Sequence, residues 1–384
     1  MKFHPESPAL IPDDVSRLKF IADLKRHLYF ELGPRNRDDY QRHAAEAAGP
    51  QPPAAAAATR EEIRRVMEGR PFFQLWSSLV RAAQDRMWEY VARVVDRDIA
   101  RLNSRYRELQ LAAPDDPGTD VDGLPDYVTR ADVHRMPGGY HVEREADDLR
   151  AGALYDLGGA VYQLGLGNVS GAMLNDTRGQ TLVAHLRHYY PWLKPGRILD
   201  MGCSVGHNTV PIHRAFPDAQ CHAIDIGAPM VRYARLRAAG LGADISFNRQ
   251  NAECTTFEDR SFDLVVSQIL LHETSPQATR RIFAESLRLL RQGGVAVHLE
   301  VPVRYEHCDV YEQFFRSWEQ YYNNEPNIEG VASTDLHALA QQTGFSDVLS
   351  GYQCIPLPTD RTAELAPEPI KGRGSWYIVS GRRT

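Results

Sequence analysis

The stretch Arg197-Ile-Leu-Asp-Met-Gly-Cys-Ser-Val-Gly206 is followed, after a helix-like segment, by Ala223-Ile-Asp225. Its apolar residues end a strand, and Asp200 stands at the tip of that strand. Gly202 and Gly206 then allow the backbone to turn tightly beside a ligand, where a Cβ would intrude. The spacing predicts a strand, a turn, a helix and a second strand that ends in an acidic residue about 20 residues beyond the glycines.

The two acidic strand ends indicate what the turn would bind. A carboxylate at the place of Asp225 can accept both hydroxyls of a ribose. A nicotinamide-binding turn, Gly-x-Gly-x-x-Gly, presses helix amides against a pyrophosphate, whereas the carboxylate of Asp200 would repel a diphosphate and suits an ammonium. The whole pattern resembles the class I S-adenosylmethionine (SAM) dependent methyltransferases, whose first motif reads Asp-x-Gly-x-x-x-Gly. The resemblance implies SAM as the cofactor.

The resemblance extends over residues 175–384 and predicts an α/β fold, a Rossmann-like seven-stranded methyltransferase sheet with a helical N-terminal region. Strands are expected at 197–199, 221–224, 245–248, 262–267 and 295–299, with a closing antiparallel pair at 345–352 and 375–380. A helix stop and turn at 291–294 is expected to precede the fifth strand. The resemblance implies cofactor contacts from Asp200, Gly202, Cys203, Gly206, Asp225, Ile226, Asn251, Ala252 and Gln268, with Asn251 and Ala252 at the adenine.

The first 130 residues read as helical and are expected to cap the site or to form a homodimer. An amphipathic helix begins at Pro12 and ends at Gly33-Pro34, and residues 44–58, rich in Ala, Pro and Gly, suggest a flexible connection. From Pro71 to Leu111 an apolar stripe indicates one long helix, or two that break near 96–98. The stripe fits either a dimer seam or packing within the subunit, and the arginines on the opposite face are expected to be solvated.

A segment at 131–174 would connect the two parts as a lid. Residues 132–141 hold two histidines and a tyrosine around a Pro-Gly-Gly turn, and such polar density in irregular chain hints at a ligand-facing surface. Tyr140 and His141 are therefore candidate substrate contacts. In the helix expected at 151–162, Tyr155 or Tyr162 would reach the cofactor.

Chemistry is expected where the fourth and fifth strands end. The segment Ser267-Gln-Ile-Leu-Leu-His-Glu-Thr274 is similar to the Leu-His-Asp-Trp segment of small-molecule O-methyltransferases, in which the histidine is the general base. The similarity implies that role for His272, with Glu300 as the reserve candidate, because an alcohol must lose a proton as it is methylated. In carbon methyltransferases with Leu-His-His at this place, the histidine can be structural. Glu273, Tyr321 and Asn324 are further candidate substrate contacts.

Other features narrow the function. The 384 residues carry a net charge of −6, which gives no overall attraction to nucleic acid or anionic lipid. Five cysteines without paired spacing fit a reducing cytoplasm, and no signal peptide or membrane span is expected. No histidine and cysteine spacing suggests a metal site, so no metal is predicted. The sequence predicts a SAM-dependent O-methyltransferase of a small molecule. The alternatives are a C- or N-methyltransferase, with His272 only orienting the substrate, and a SAM-binding regulatory protein without catalysis.

Overall fold

The computed structural model describes residues 3–48, 59–112, 123–165, 174–354, 364–370 and 374–384. The N-terminal half is helical: α1 (Pro12–His27), a π-helical turn (Leu28–Leu32), α2 (Arg35–Ala48), α3 (Arg60–Glu68), α4 (Pro71–Ala112), α5 (Asp126–Thr129), a 3-10 turn (Val133–Arg135) and α6 (Arg150–Gly165). In the second half, helices alternate with strands: α7 (Thr177–Tyr189), β1 (Arg197–Met201), α8 (Thr209–Ala215), β2 (Gln220–Asp225), α9 (Ala228–Gly240), β3 (Ser246–Arg249) and β4 (Phe262–Gln268).

After β4 come a 3-10 turn (Leu271–Glu273), α10 (Pro276–Leu289), β5 (Leu290–Glu300) and a 3-10 turn (Tyr305–His307). Four short helices follow, α11 (Val310–Arg316), α12 (Trp318–Tyr322), α13 (Ile328–Ser333) and α14 (Leu336–Thr343). The chain closes with β6 (Ser346–Cys354), β7 (Leu365–Ala366) and β8 (Ser375–Arg382). Among the described residues, no helix is both long and apolar enough to cross a membrane.

The described strands form one sheet in the order β3-β2-β1-β4-β5-β8-β6-β7. Strands β1 to β5 pair in parallel, and β8 pairs antiparallel with both β5 and β6. This confirms the predicted α/β class and the closing antiparallel pair. The chain leaves β1 toward β2 and returns to β4 on the other side, so a crevice opens beyond the carboxyl ends of β1 and β4, where α/β sheets bind ligands.

Two details of the sheet differ from the sequence prediction. The described sheet has eight strands rather than seven, because the two-residue β7 pairs with the end of β6. Residues 291–294 were expected to form a turn before the fifth strand, but β5 already begins at Leu290. Leu290 pairs with Phe262, and the register shifts before Val295 pairs with Leu264. The left-handed Gly293 (φ +78°) therefore lies inside the bounds of the strand.

Both faces of the sheet are covered, as a parallel sheet requires. Ile198, Leu264 and Val266 pack with Leu182 and Leu186 of α7 on one face. The alternate residues of the strands pack with α10 and α14 on the opposite face. This double cover explains the continuous apolar runs in β1 and β4.

Helix α4 is a single helix of 42 residues, without the break considered near 96–98. Its stripe packs against α1 and α6 of the same chain, and Trp76 is only 1% exposed. The same apolar core includes Met230 and Leu236 of α9, so the helical half is packed directly onto the sheet half. The stripe is therefore an internal packing surface, and the arginines of the opposite face are exposed as expected.

The expected flexible connection at 44–58 falls partly inside a helix. Helix α2 continues to Ala48, and residues 49–58 lie outside the described residues. Alanine has the highest helix propensity of all residues, so the alanines of 44–48 extend the helix.

Candidate active site

The turn after β1 depends on its glycines. Gly202 has φ +68°, and a Cβ there would lie 2.5 Å from Cδ1 of Leu270. Gly206 has φ +79°. Between them, the Cys203 amide donates to the Ile224 carbonyl oxygen (2.8 Å), which ties the turn to β2. Only glycine adopts such backbone angles without strain, so the turn requires glycine at both positions.

Asp200 lies beneath this turn and does not line the cavity above it. Its Oδ2 accepts from the Thr209 hydroxyl (2.6 Å), and its Oδ1 accepts from the Asn208 amide (3.4 Å). Burial raises the pKa of Asp200 to about 7. Gly206 also lies outside the lining. Both residues therefore shape the turn, and direct contact of either with a ligand stays a prediction.

Asp225 stands at the end of β2 and faces the cavity. Its two oxygens accept from the Ser204 amide and the Gly227 amide, both at 2.9 Å, and burial raises its pKa. These bonds hold the carboxylate at the mouth of the turn, which is the place that the spacing predicted.

One cavity, of about 950 Å³ with its open mouth, lies beyond the carboxyl ends of β1 and β4. It brings together most of the predicted site: Gly202, Cys203, Asp225, Ile226, Asn251, Ala252, Gln268, Glu273 and Tyr140. Burial raises the pKa of the Cys203 thiol well above its usual value, which suits a packing residue rather than a nucleophile.

Three buried polar atoms around the cavity have no hydrogen-bond partner among the described residues. They are Oγ of Ser204, Oδ1 of Asn208 and Oε1 of Gln268. Buried polar atoms are nearly always paired, because an unpaired one loses about 1–3 kcal/mol of hydration. Their orphaned state fits a polar ligand such as the amino-acid part of SAM.

The cavity also has walls that the sequence did not predict. They include Tyr127, Val128, Val133, Ser204, His207, Asn208, Met230, Gln250, Ile269, Leu270 and Thr274. Tyr155, one of two tyrosines expected near the cofactor, lines the cavity and stacks on His207 (ring centroids 5.9 Å apart). Tyr162 does not line it and instead accepts from the Gln84 amide (2.5 Å).

Asp156 of α6 holds the cavity wall at His207 in place. Its carboxylate contacts Nε2 of His207 (2.6 Å) and Nε2 of His4 (2.7 Å), and it accepts from the Tyr233 hydroxyl (2.9 Å). The histidine contacts hold the pKa of Asp156 well below its usual value. This buried group joins the N-terminus, α6, the cofactor turn and α9, four parts of the chain that no local pattern connects.

Glu273, which follows β4, is the centre of a second polar cluster. Its Oε1 accepts from the Tyr140 hydroxyl (2.9 Å) and lies 3.1 Å from Nε2 of His134 and 3.5 Å from Nε2 of His272. The lid segment around 132–141 therefore reaches the end of β4, as its polar density suggested. Contact with these two histidines holds the pKa of Glu273 far below its usual value.

His272, the predicted general base, is not a wall of the cavity. Its ring is 4% exposed, and both nitrogens face carboxylates: Nδ1 lies 2.8 Å from Glu300 Oε2, and Nε2 faces Glu273. The Glu300 carboxylate raises the pKa of His272 well above its usual value. Glu300 is also buried, and it accepts from the Leu271 amide as well (3.1 Å). Neither group lines the cavity, and direct proton abstraction by His272 or Glu300 stays a prediction.

Three predicted substrate contacts also lie elsewhere. Tyr321 is half exposed and stacks under the Arg64 guanidinium (3.5 Å to the ring centroid). Asn324 is half-buried and donates to the Asp132 carbonyl oxygen (3.1 Å), and neither Asn324 nor His141 lines the cavity. Two neighbours in the same loop point inward instead, because the turn at Asn324 (φ 57°) reverses the chain. They are Asn323 and Glu325, which bond to each other (2.9 Å).

Comparison with known proteins agrees with this geometry. Residues 198–294 match the family described as the methyltransferase domain. One relative is the malonyl-[acyl-carrier protein] O-methyltransferase of Methylococcus capsulatus, to which the chain is 34% identical over 126 residues. The aligned residues cover 32% of this chain and 43% of the relative. Another is phosphoethanolamine N-methyltransferase 1 of Arabidopsis thaliana, to which the chain is 35% identical over 106 residues. Here the aligned residues cover 27% of this chain and 20% of the relative.

A solved structure of phosphoethanolamine N-methyltransferase 2 of Haemonchus contortus, in complex with SAM, overlaps 53% of this chain and 52% of its own, with 18% identity and a TM-score of 0.40. The chain spans 43% and 20% of the length of these two sequence relatives. Residues 198–294 are a methyltransferase domain of the class I SAM-dependent kind, and the cofactor is SAM.

Proposed function

We propose that the whole chain transfers the methyl group of SAM to an oxygen atom of a small-molecule acceptor. One observation carries the proposal: a single cavity joins the cofactor turn, at Gly202 and Asp225, to the wall formed by Glu273, Tyr140 and Tyr155. The acceptor oxygen forms a bond to the methyl carbon while the carbon–sulfur bond breaks. The electron pair of that bond returns to sulfur, which leaves S-adenosylhomocysteine, and the proton of the acceptor passes to Glu273 and then to water.

The cofactor would lie along the turn and the ends of β2 to β4. Asp225 would accept the ribose hydroxyls, and Asn251 and Ala252 would contact the adenine. The orphaned oxygens of Ser204, Asn208 and Gln268 support a place for the methionine part beside β4. Asp200, beneath the turn, would hold the turn in shape through Thr209 and Asn208 rather than contact the cofactor.

The acceptor would lie against Glu273, whose carboxylate can hold a hydroxyl group. His134 and His272 contact the same oxygen of Glu273, so we propose that they are positioning residues. This assignment moves the proton-accepting role from His272 to Glu273. It agrees with the C- or N-methyltransferase alternative on one point, that His272 only orients the substrate.

The helical half would cap the site. Residues 1–130 form the scaffold, 131–174 supply Val133, Tyr140 and Tyr155 as a lid, and 175–384 form the methyltransferase domain. Because the α4 stripe is buried within the chain, a homodimer through the N-terminal helices would need another face. No role with nucleic acid or membranes is proposed, and the five free cysteines fit a cytoplasmic enzyme of small-molecule biosynthesis.

The names of the relatives span oxygen acceptors, as in the malonyl-[acyl-carrier protein] enzyme, and nitrogen acceptors, as in the phosphoethanolamine enzyme. The experiment is therefore open to either atom: the chain is incubated with methyl-labelled SAM and a small-molecule extract, and the labelled product is identified. A labelled methyl ether or ester supports the proposal, and a labelled amine or carbon assigns the alternative. If the chain binds SAM but transfers no label to any acceptor, the alternative of a SAM-binding regulatory protein without catalysis replaces both.

A Glu273→Gln variant tests the proposed role of the carboxylate, with Glu258→Gln as the matched control because Glu258 is an exposed glutamate of the same domain. Loss of a positioned proton acceptor lowers turnover by about 10²–10⁴-fold, while SAM affinity should stay near that of the wild type. Equal rates in Glu273→Gln and Glu258→Gln would remove Glu273 from the reaction.

A further inference from the structure

The histidine pair beside Glu273 has the arrangement of a metal site. One ring nitrogen of His134, one of His272 and a carboxylate oxygen of Glu273 all lie within 4.8 Å of one another. Oε1 of Glu273 is 3.1 Å from Nε2 of His134 and 3.5 Å from Nε2 of His272. Tetrahedral ligands at 2.0–2.2 Å from one ion are separated by about 3.3–3.6 Å, so these two separations are close to those of a bound ion.

The surroundings of both rings strengthen this reading. Nδ1 of His134 lies 2.8 Å from Oε1 of Glu325, and Nδ1 of His272 lies 2.8 Å from Oε2 of Glu300. An ionised carboxylate can only accept, so each Nδ1 carries a proton. Each Nε2 faces Oε1 of Glu273 and would give up its own proton when a metal ion binds. Metal-binding histidines in proteins are held in this way, with the second ring nitrogen donating to a carboxylate.

The backbone at His134 is also held in an unusual conformation. His134 and Arg135 have φ 53° and 59°, a left-handed conformation that is unfavourable by about 1–2 kcal/mol per residue. The contacts of this turn hold it in place: Arg135 pairs with Asp85 (2.5 Å), and the His134 carbonyl oxygen accepts from the Trp88 indole (2.7 Å). Strain of this kind persists where the surrounding structure enforces it, and it clusters at functional sites.

We propose that His134, His272 and Glu273 bind one divalent first-row transition metal ion, and that this ion binds the oxygen of the methyl acceptor. Two imidazoles and one carboxylate suit Zn²⁺ or Fe²⁺ rather than Mg²⁺ or Ca²⁺, which prefer oxygen ligands alone. This inference replaces the sequence-based expectation of no metal. Its substrate part rests on the proposed function.

The position of Glu273 gives the ion access to the cavity. Glu273 lines the cavity that also holds the cofactor turn, so open coordination positions would face the acceptor. A hydroxyl group bound to such an ion loses its proton more readily. When the ion is bound, that proton passes to water rather than to Glu273, whose carboxylate would be a metal ligand. The substrate class is therefore an acceptor with a hydroxyl or enol oxygen that can bind a metal ion.

The test is equilibrium dialysis of the tag-free full chain against Zn²⁺, followed by metal analysis, and titration with Co²⁺ as a spectroscopic probe. The wild type should bind one ion per chain and give the visible absorption of Co²⁺ bound to nitrogen ligands. His134→Ala should abolish stoichiometric binding. His141→Ala, from the same lid segment but outside the cluster, should leave it unchanged.

Glu325→Gln provides the second variant, because it removes a carboxylate that holds a ligand without removing the ligand itself. It should weaken Zn²⁺ binding by about 10–100-fold, and circular dichroism should show that the chain is folded. Absence of stoichiometric binding in the wild type, or equal binding in His134→Ala and His141→Ala, would overturn the proposal. Neither SAM nor an acceptor is present in these measurements. If the chain methylates an acceptor but binds no ion, only the proposed metal site is rejected. If the chain binds the ion but transfers no methyl group, only the proposed function is rejected.

Discussion

Asp225 shows how one residue can be predicted from local sequence and then tested. Its carboxylate stands at the mouth of the cofactor turn, held by two backbone amides. Asp225→Asn keeps one acceptor oxygen, whereas Asp225→Ala removes both. We expect Asp225→Ala to weaken SAM binding by about 1.5–3 kcal/mol, the range for a hydrogen bond to a charged group. Asp244→Ala, at an exposed position of the same domain, is the control, and calorimetry is the measurement. Equal affinity in Asp225→Ala and Asp244→Ala would exclude the ribose contact.

Gly202 has a natural matched control in Gly242. Their φ values are +68° and +67°, but a Cβ at Gly242 would meet nothing within 4 Å, whereas one at Gly202 would lie 2.5 Å from Leu270 Cδ1. Alanine at either position adds about 1–2 kcal/mol of left-handed strain, so both variants should lose thermal stability. Only Gly202→Ala should also lose SAM affinity. The cofactor-turn assignment fails if the two variants bind SAM equally well.

The site was predictable from the sequence where its geometry is local and not where it depends on packing. Gly202 and Asp225 belong to a strand–turn–helix unit, whose spacing fixes their positions. His134 and Glu273 are 139 residues apart, and their contact depends on how the helical half packs onto the sheet. The sequence of the segment at 267–274 resembles that of O-methyltransferases, but only the packing shows that both nitrogens of His272 face carboxylates, those of Glu300 and Glu273.

At the scale of elements, α4 determines how the helical half is organised. Its 3.6-residue periodicity predicts the helix, but periodicity alone could not separate a dimer seam from internal packing. Trp76 donates its indole N–H to the Leu28 carbonyl oxygen (2.8 Å) and stacks on Phe315, with ring centroids 4.8 Å apart. These partners belong to the same chain and lie far from Trp76 in sequence.

Trp76→Ala should therefore lower the free energy of unfolding by about 3–5 kcal/mol, the usual cost of truncating a buried aromatic residue. Leu79→Ala, on the same helix but 40% exposed, should change it by no more than about 0.5 kcal/mol. Urea denaturation measures both values. If Leu79→Ala proves as damaging as Trp76→Ala, the outer face of α4 is an interface between copies of the chain.

At the scale of the whole molecule, buried titrating groups act in opposite directions on stability. Burial lowers the pKa of His185 to about 4 and raises the pKa of Asp200 to about 7. Between pH 6.5 and 4 the unfolded chain binds a proton at His185 and the folded chain does not, so this group lowers stability as the pH falls. Between pH 7 and 4 the folded chain binds a proton at Asp200 and the unfolded chain does not, so this group raises stability as the pH falls.

Comparison with single variants separates the two effects. The stability of the wild type relative to His185→Gln should fall by up to ~1.4 kcal/mol per pH unit on acidification from pH 6.5 to 4. Relative to Asp200→Asn it should rise by a similar amount from pH 7 to 4. Urea denaturation at several pH values measures both slopes. Slopes of the same sign would contradict the assigned protonation states.

We propose that SAM binds in one cavity, walled by both halves of the chain. Hydrogen exchange of the full chain with and without SAM is the decisive measurement, because it reports both binding and the place of binding. We expect slower exchange at the cofactor turn and at the ends of β2 and β4, residues 200–208, 223–228 and 268–274, together with the lid residues 131–165. No SAM-dependent protection at 200–208 would contradict the site. Protection confined to residues beyond 190 would mean that the helical half does not form part of the SAM site.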